Sequence, residues 1–142
     1  MREYEAMIIA KADLPEAEVS KMVTKWETTI GHDGGQVVKK DIWGVRRLAY
    51  PINKQNRGNY YLYDIATSQA NIEELQRILK LDENVIRSLV VKLSDTIDVD
   101  ARRIELQQLA EAAAQRAAEA ARERAESDSM GARRGHSSHD DE

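Results

Sequence analysis

Apolar residues along the chain follow two kinds of periodicity, and the two kinds alternate. Four segments in which every second residue is apolar, or nearly all residues are, predict strands. They are Tyr4–Ala10, Gln36–Trp43, Tyr60–Ala66 and Val85–Leu93. Two intervening segments carry apolar residues three or four positions apart and predict helices. The predicted order is therefore βαββαβ.

The first predicted helix has signals at both ends. Asp13 is expected to cap its first turn, because Glu16 follows three residues later. Its apolar stripe consists of Val19, Met22, Val23, Trp26 and Ile30, and Trp26 is expected in the core. Three glycines, at positions 31, 34 and 35, are expected to end the helix.

The second and third strands are expected to pair as a hairpin, because a polar turn over residues 53–59 joins them. Gly44 is expected to mark a bulge or a bend, beyond which Val45–Tyr50 continues in extended form. Ser68 or Asn71 is expected to cap the second helix. The buried face of that helix is predicted to consist of Ile72, Leu75, Ile78 and Leu79.

This order predicts an α+β fold, the ferredoxin-like sandwich: a four-stranded antiparallel sheet with two helices on one face. The first and last strands nevertheless have apolar residues on both sides, as Ile8 and Ile9 illustrate. A strand that is apolar on both sides is usually covered on both sides. We therefore expect the other face of the sheet to pack against a partner or against the tail of the chain.

The composition changes after residue 94, which divides the chain into a domain at 1–94 and a charged, Ala/Glu/Arg-rich tail at 95–142. Ala110–Ala125 contains strong helix formers without large apolar side chains. Ser127–Glu142 is polar and of low complexity, and it is expected to be disordered. The tail is thus predicted to be helical first and disordered afterwards.

The formal net charge of −4 argues against nucleic acid as a partner until its distribution is considered. Residues 1–94 carry 14 Lys+Arg and 13 Asp+Glu, whereas residues 95–142 carry 7 and 12. Residues 36–60 hold six cations and one acid, Asp41, for a net charge of +5. Salt screens charges more than ~8–10 Å apart, so this basic stretch can bind a polyanion although the whole chain is acidic.

Several classes of protein lack support in the sequence. Without cysteine there is no disulfide framework, thiolate zinc site or cysteine nucleophile. The N-terminus has no signal-peptide pattern, and no apolar run approaches the ~20 residues that span a bilayer. We therefore expect a cytoplasmic protein without a membrane partner. His32 lies in a glycine-rich turn and His136 and His139 in the polar tail, so no metal site is predicted.

No catalytic motif is present either, whether a phosphate-binding glycine loop, a zinc-protease helix or a nucleophile elbow. Some small ferredoxin-like proteins, such as the acylphosphatases, cradle a phosphate with an arginine and an asparagine. Arg46 and Asn53 are available, but nothing in their spacing singles them out. We expect no enzyme, no cofactor and no small-molecule substrate.

The stretch from Asp41 to Lys54 alternates cations with groups that stack or pack. Arginine offers a planar fork of donors to phosphate and stacks on bases. Trp43 and Tyr50 offer flat apolar faces. This pattern suits irregular RNA with splayed bases. It suits equally a solvated hairpin with core aromatics, so the composition leaves both interpretations open.

Three motifs occur in order over residues 1–94. Gly44–Ile52, which reads Gly-Val-Arg-Arg-Leu-Ala-Tyr-Pro-Ile, resembles the signature of the bacterial small-subunit ribosomal protein six family. Met1–Glu5 resembles the start of that family, and Val85–Lys92 resembles its last strand. The resemblance ends near residue 95.

This resemblance implies a ferredoxin-like fold and a structural role in the small (30S) ribosomal subunit, in platform assembly and translation. It implies binding to the central domain of 16S ribosomal RNA. It also implies a heterodimer with small-subunit ribosomal protein eighteen. Nothing about the tail follows from it.

Twelve cationic or aromatic residues are the candidates for contact with RNA or the partner protein. They are Arg2, Tyr4, Lys39, Lys40, Trp43, Arg46, Arg47, Tyr50, Lys54, Arg57, Arg87 and Lys92. Arg2 is expected to meet an RNA phosphate, unless the strand end frays. Arg46 and Arg47 alternate faces, so one is expected at RNA or the partner and the other in a local salt bridge.

Other candidates have two interpretations each. Lys54 and Arg57 lie at the hairpin tip, where a cation reaches phosphate or stays solvated. Arg87, flanked by apolar residues and on the face opposite to Lys92, favours a buried or interface contact. Tyr4, like Tyr50, is expected either in the core or at an interface.

Two rival hypotheses stay open. Arg57–Tyr63 resembles the third-strand motif of an RNA recognition motif, although Asn59 and Tyr60 depart from it. That hypothesis requires bases to stack on Tyr61 or Tyr63. The other rival is an interaction module that binds a partner through the alanine-rich helix of the tail alone.

Overall fold

The computed structural model describes residues 1–52 and 54–137, with side chains as far as Gly131. The strands are β1 (Arg2–Lys11), β2 (Gln36–Ile52), β3 (Gln55–Thr67) and β4 (Val85–Ser94). The helices are α1 (Glu16–Ile30), α2 (Gln69–Leu81) and α3 (Val99–Ser137). The chain forms two compact units, Met1–Arg103 and Ile104–Glu142. No described helix is both long and apolar enough to cross a membrane.

The four strands form one antiparallel sheet in the order β2-β3-β1-β4. Both α1 and α2 lie on one face, and the opposite face is called the open face below. Tyr4 pairs with Ile65 and Ile8 with Tyr61, so these side chains point to the same face, toward the helices. The predicted ferredoxin-like α+β fold is confirmed.

The core lies between the sheet and the two helices. Trp26 of α1 is fully buried there, as expected. Its ring meets those of Tyr61 and Tyr63 edge-on, with centroids 5.4 and 6.5 Å apart. Edge-to-face geometry is favourable for aromatic rings, and burial of these large side chains supplies much of the hydrophobic stabilisation.

The start of α1 differs from the prediction. Pro15 occupies the N-cap position and has no side-chain cap, and its carbonyl accepts from Glu18 and Val19. Asp13 is separated from the helix by Leu14, which packs against the core. The expected Asp13 cap is therefore wrong, because packing of Leu14 fixes the helix entry two residues later.

A buried polar network joins the end of α1 to the start of α2. Thr67 Oγ1 donates to the carbonyl of Ile30 at 3.0 Å and accepts from Asn71 Nδ2 at 2.9 Å. Asn71 Nδ2 also donates to the carbonyl of His32 at 2.6 Å. Ser68 caps α2 by accepting from the Asn71 backbone at 3.3 Å. Of the two residues predicted to cap α2, Ser68 is therefore the one that does so.

The hairpin is longer than expected. Of the polar turn predicted over residues 53–59, Lys54 does lie in a turn and Asn53 lies outside the described residues, but the part from residue 55 to 59 is wrong, because β3 already begins at Gln55, which pairs with Ile52. Lys54 adopts a φ of 65°, which suits a tight turn. Polar residues can pair in a strand wherever a neighbouring strand satisfies their backbone groups, and β2 does so here.

The pairing of β2 with β3 shifts register between Val37 and Lys39 and at two bulges farther along β2. One lies at Gly44, with a φ of 78°, where a bulge or bend was predicted. The other places residues 48–51 opposite the single residue Asn56, because Arg47 pairs with Arg57 and Ile52 with Gln55. Leu48 is buried within this second bulge. A Cβ on Gly58 would lie 2.3 Å from Cγ2 of Ile9, so the bare glycine leaves room for that side chain.

The tail is more helical than expected. Disorder was predicted from Ser127, whereas α3 continues through Ser137, and residues 138–142 lie outside the described part. The segment after Ser127 contains no proline, and a glycine such as Gly131 weakens a helix by only ~1 kcal/mol. A helix already formed by the preceding alanine-rich turns can therefore extend through it.

Candidate nucleic-acid interface

The β2–β3 hairpin extends past the rest of the sheet. The pairing of β1 with β3 ends at Lys11 and Gly58, so earlier residues of β3 pair only with β2. We call residues 45–57 the hairpin arm. Its cations are Arg46, Arg47, Lys54 and Arg57, all exposed, and its sequence contains no acid. The arm is therefore a local concentration of four positive charges.

An aromatic stack lies at the base of the arm on the open face. Trp43, 45% exposed, stacks on Tyr60 with ring centroids 6.2 Å apart at 22°. The guanidinium carbon of Arg46 lies 5.0 Å from the Trp43 ring centroid, within cation–π range. Tyr50, on the arm, is 64% exposed.

Arg46 and Arg47 do not take the two roles expected for them, in which one would form a local salt bridge. Arg46 lies on the aromatic stack, while Arg47 is exposed. Neither forms a salt bridge with any side chain that the structure describes. The expected local salt bridge is therefore wrong, because the arm offers no acid to form one.

Four other candidate cations already have partners within the protein. Lys39 lies 3.7 Å from Asp41, and Lys40 lies 3.3 Å from Glu27 of α1. The other two, Arg2 and Lys92, approach the carboxylate of Asp95. Exposed pairs of this kind contribute only ~0–1 kcal/mol, so they leave these cations able to exchange partners.

The open face near β4 has exposed apolar residues. Leu89 is 52% exposed and Val91 45%. Arg87 faces the same side, opposite Ile9, and it is exposed, so a buried contact for it is wrong. An interface contact for Arg87 stays a prediction. Lys92 pairs with Tyr4 and lies on the opposite face, as expected.

The aromatic residues of β3 separate by face in a way that overturns the RNA recognition motif hypothesis. Tyr61 and Tyr63 are 2% and 0% exposed, with their rings in the core, so neither can stack on a base. Tyr4 is also buried in the core, which settles its two interpretations. Tyr60 is the tyrosine of β3 that lies on the open face. The sequence could have indicated this, because neighbouring residues of a strand point to opposite faces and Tyr61 points into the core.

Two carboxyl groups and one arginine meet on the open face at the other end of the sheet. Arg102, in the first turn of α3, donates from Nε to Oε2 of Glu3 at 2.8 Å and approaches Oδ2 of Asp64 at 3.7 Å. Arg103 donates to the carbonyl of Val37 at 3.2 Å. The start of the tail thus contacts this part of the open face, one of the two coverings expected from the sequence.

Burial raises the pKa of Asp64 to about 7, helped by its hydrogen bond with Glu3 and the charge of Glu3, while Arg102 opposes the shift. Near pH 6 the folded protein therefore holds a proton on Asp64 that the unfolded chain has lost. Stability from this group is present at low pH and lost as pH rises through about 7.

Asp64→Asn should accordingly flatten the pH dependence of stability. We expect the free energy of unfolding of the natural protein, measured by urea denaturation, to fall between pH 5.5 and 8 by on the order of 1 kcal/mol after allowance for solvent screening. An amide side chain at this position cannot titrate, so the variant should lose most of that fall. Asp41→Asn, a half-exposed carboxyl on β2, serves as the control. An unchanged fall in Asp64→Asn would contradict the assignment.

Within the described residues, no group of three or more His, Asp or Glu side chains is placed to hold a metal ion. His139 and Asn53, considered for metal and phosphate binding, lie outside the described residues. The candidate site is therefore a surface of cations, aromatic rings and apolar residues, of a kind suited to binding macromolecules.

Comparisons with known proteins identify a family for this chain. The profile of the family described as ribosomal protein S6 matches residues 3–92. A small ribosomal subunit protein bS6 from Corynebacterium efficiens is 43% identical over 93 residues, which are 66% of this chain and 98% of that protein. Another from Saccharopolyspora erythraea is 42% identical over 92 residues, covering 65% and 78%. The crystal structure of 30S ribosomal protein S6 from Thermotoga maritima superposes with a TM-score of 0.60 at 26% identity, covering 76% of this chain and 97% of that one.

Proposed function

Because this chain belongs to the ribosomal protein S6 family, we propose that it binds the central domain of 16S ribosomal RNA as a heterodimer with small-subunit ribosomal protein eighteen. The family itself makes the chain a structural constituent of the small ribosomal subunit, and not an enzyme, as expected. The expected location in the cytoplasmic 30S subunit is likewise confirmed.

The hairpin arm is the observation that carries the RNA half of this proposal. Its four cations are exposed and have no acid among them. A cation that is not paired with a carboxylate of the protein can bind a phosphate and release counterions from the RNA. It does not first have to break an ion pair inside the protein. Exposed rings nearby, Trp43 and Tyr50, suit unpaired bases, which stack on aromatic side chains.

The open face supports the protein half. Leu89 and Val91 present apolar surface there, which phosphate and sugar cover poorly and a protein covers well. The same face carries cations at Arg46 and Arg87. One domain can therefore meet a protein through its apolar strands and RNA through its arm.

Binding should be cooperative. Residues 1–94 have a net charge of only +1, so the protein alone should bind RNA weakly. A basic partner adds phosphate contacts and orients the arm toward the RNA. Each phosphate neutralised should steepen the dependence of log affinity on log salt by roughly 0.7–0.9.

The test is binding to a central-domain 16S rRNA fragment, with and without protein eighteen from the same source, at two salt concentrations. We expect the partner to tighten binding by roughly tenfold or more and to make it steeply salt-dependent. Competition by an unrelated RNA of equal length measures specificity.

Two outcomes would contradict the proposal. If the chain alone binds the fragment as tightly as the heterodimer does, the partner assignment is wrong. If neither binds while the protein is folded, the RNA assignment is wrong. The interaction module working through α3 then becomes the better explanation, and residues 95–142 should bind a partner on their own.

A further inference from the structure

One carboxylate oxygen lies close to two cations at the end of the sheet where β4 stops. Oδ1 of Asp95 lies 2.8 Å from Nζ of Lys92 and 3.9 Å from Nε of Arg2. We call these three residues the Asp95 cluster. The exposed fractions of their side chains are 40% for Arg2, 48% for Lys92 and 73% for Asp95, so ions in solution reach the cluster.

A cavity of about 310 Å³ lies beside the cluster, between α2 and the strands, and Arg2 and Lys92 line it. Gln69 and Glu73 of α2 also line it, so one acid lies among its lining residues beside the two cations, and Gln69 accepts from Nη1 of Arg2 at 2.6 Å. Tyr4 also borders the cavity, but it is 5% exposed and its hydroxyl is buried.

We propose that the Asp95 cluster is a binding site for a backbone phosphate of the RNA, and that the Asp95 carboxylate occupies it in the free protein as an internal competitor. This inference rests on the proposed function, because it takes RNA binding as given and names a second contact region for it, apart from the hairpin arm.

The geometry matches this role because two strands bring their cations to one anionic oxygen. Arginine and lysine both bind phosphate, and a phosphate oxygen can take the place of a carboxylate oxygen between them. The hydrogen bond from Lys92 and its charge, together with the charge of Arg2, lower the pKa of Asp95. Asp95 is therefore ionised at neutral pH and competes there with phosphate.

The solvent exposure of the cluster favours RNA over an acidic protein segment. A protein interface would remove three charges from water, which is unfavourable unless every one is paired well. RNA phosphates bind solvated cations and gain from counterion release. Exposed ion pairs such as Lys92–Asp95 are weak, so a phosphate displaces the carboxylate readily.

Asp95→Asn tests the proposal because it removes the competing charge and keeps the side-chain size. The full chain, with protein eighteen, is titrated into the central-domain fragment at several salt concentrations. We expect the variant to bind roughly three- to tenfold more tightly at 0.1 M salt, with a log–log slope steeper by about one to two units.

Glu83→Gln is the matched control, since it changes net charge equally at the opposite end of β4, where Glu83 is exposed. We expect its affinity to change less than about twofold, because long-range charge is screened. Lys92→Met should weaken binding by itself and should abolish the gain in the double variant with Asp95→Asn. That non-additivity is expected only if both residues act at one site.

The proposal is overturned if Asp95→Asn binds like Glu83→Gln, or more weakly than the natural protein. A tighter heterodimer without tighter RNA binding would instead assign the cluster to an acidic segment of the partner protein, and would also overturn it. If the natural protein itself fails to bind the fragment, the proposed function fails, and that result is distinct from all of these.

Discussion

Gly35→Ala is expected to lower the free energy of unfolding by about 3 kcal/mol or more. A Cβ at this position would lie 1.8 Å from the carbonyl oxygen of Ile30 and 2.5 Å from Oγ1 of Thr67. Both atoms belong to the buried polar network, so neither can move without breaking a hydrogen bond to the other or to Asn71. Urea denaturation of the purified variant measures the loss.

Gly31→Ala is the matched control, four residues earlier in the same connection. Its Cβ would approach nothing nearer than the carbonyl oxygen of Glu27, at 3.2 Å, and Gly31 already has an ordinary φ of −78°. We expect a change below about 1 kcal/mol. Equal and small losses in both variants would show that the α1–β2 connection yields easily, and the tight contact assigned to Gly35 would be wrong.

Removal of the arm's positive charge should have the largest effect on RNA binding. With alanine at Arg46, Arg47, Lys54 and Arg57, we expect the heterodimer to lose on the order of 10²–10³-fold in affinity at 0.1 M salt. The log–log salt slope should become shallower by roughly three units, because each lost cation no longer releases a counterion from the RNA. Titration at four salt concentrations measures both quantities.

The control removes four cations from the helices, with alanine at Lys21, Lys25, Arg77 and Lys80, all exposed. It alters the net charge by the same amount away from the arm, and we expect an affinity loss below about threefold. If the two variants lose affinity equally, general charge governs binding and the arm has no special role. Thermal melts of both variants check that the fold is retained, as the exposure of these side chains predicts.

The strands and helices of the core could be predicted because their buried and exposed side chains alternate with the period of a strand or of a helix. Ile8 and Tyr61 alternate with outward residues, and Trp26 recurs with its neighbours at helical spacing. Gln55–Asn59 could not be predicted as a strand, because its side chains carry no such pattern. This segment is a strand because its backbone pairs with β2, and such pairing does not require an alternating pattern of apolar and polar side chains.

The residue types of the candidate site could be predicted from the sequence, but the contacts that each cation makes within the protein could not. Sequence alone ranks Arg2, Lys40 and Arg46 as equals, since each is a cation on a strand. In the structure Lys40 reaches Glu27 on α1 and Arg2 reaches Asp95, whereas Arg46 lies on an aromatic ring. These differences arise from contacts between distant parts of the chain, and residue type alone does not specify them.

The central place of β1 in the sheet has a consequence for biosynthesis. Ribosomes release the N-terminus first, yet β1 needs β3 on one side and β4, Val85–Ser94, on the other. At roughly 5–20 residues per second, several seconds pass between the emergence of β1 and that of its last neighbour. Throughout that interval the nascent chain carries an apolar strand with at least one unpaired edge. A cell that makes this protein in quantity must therefore protect the growing chain from its neighbours until almost the whole domain has left the exit tunnel.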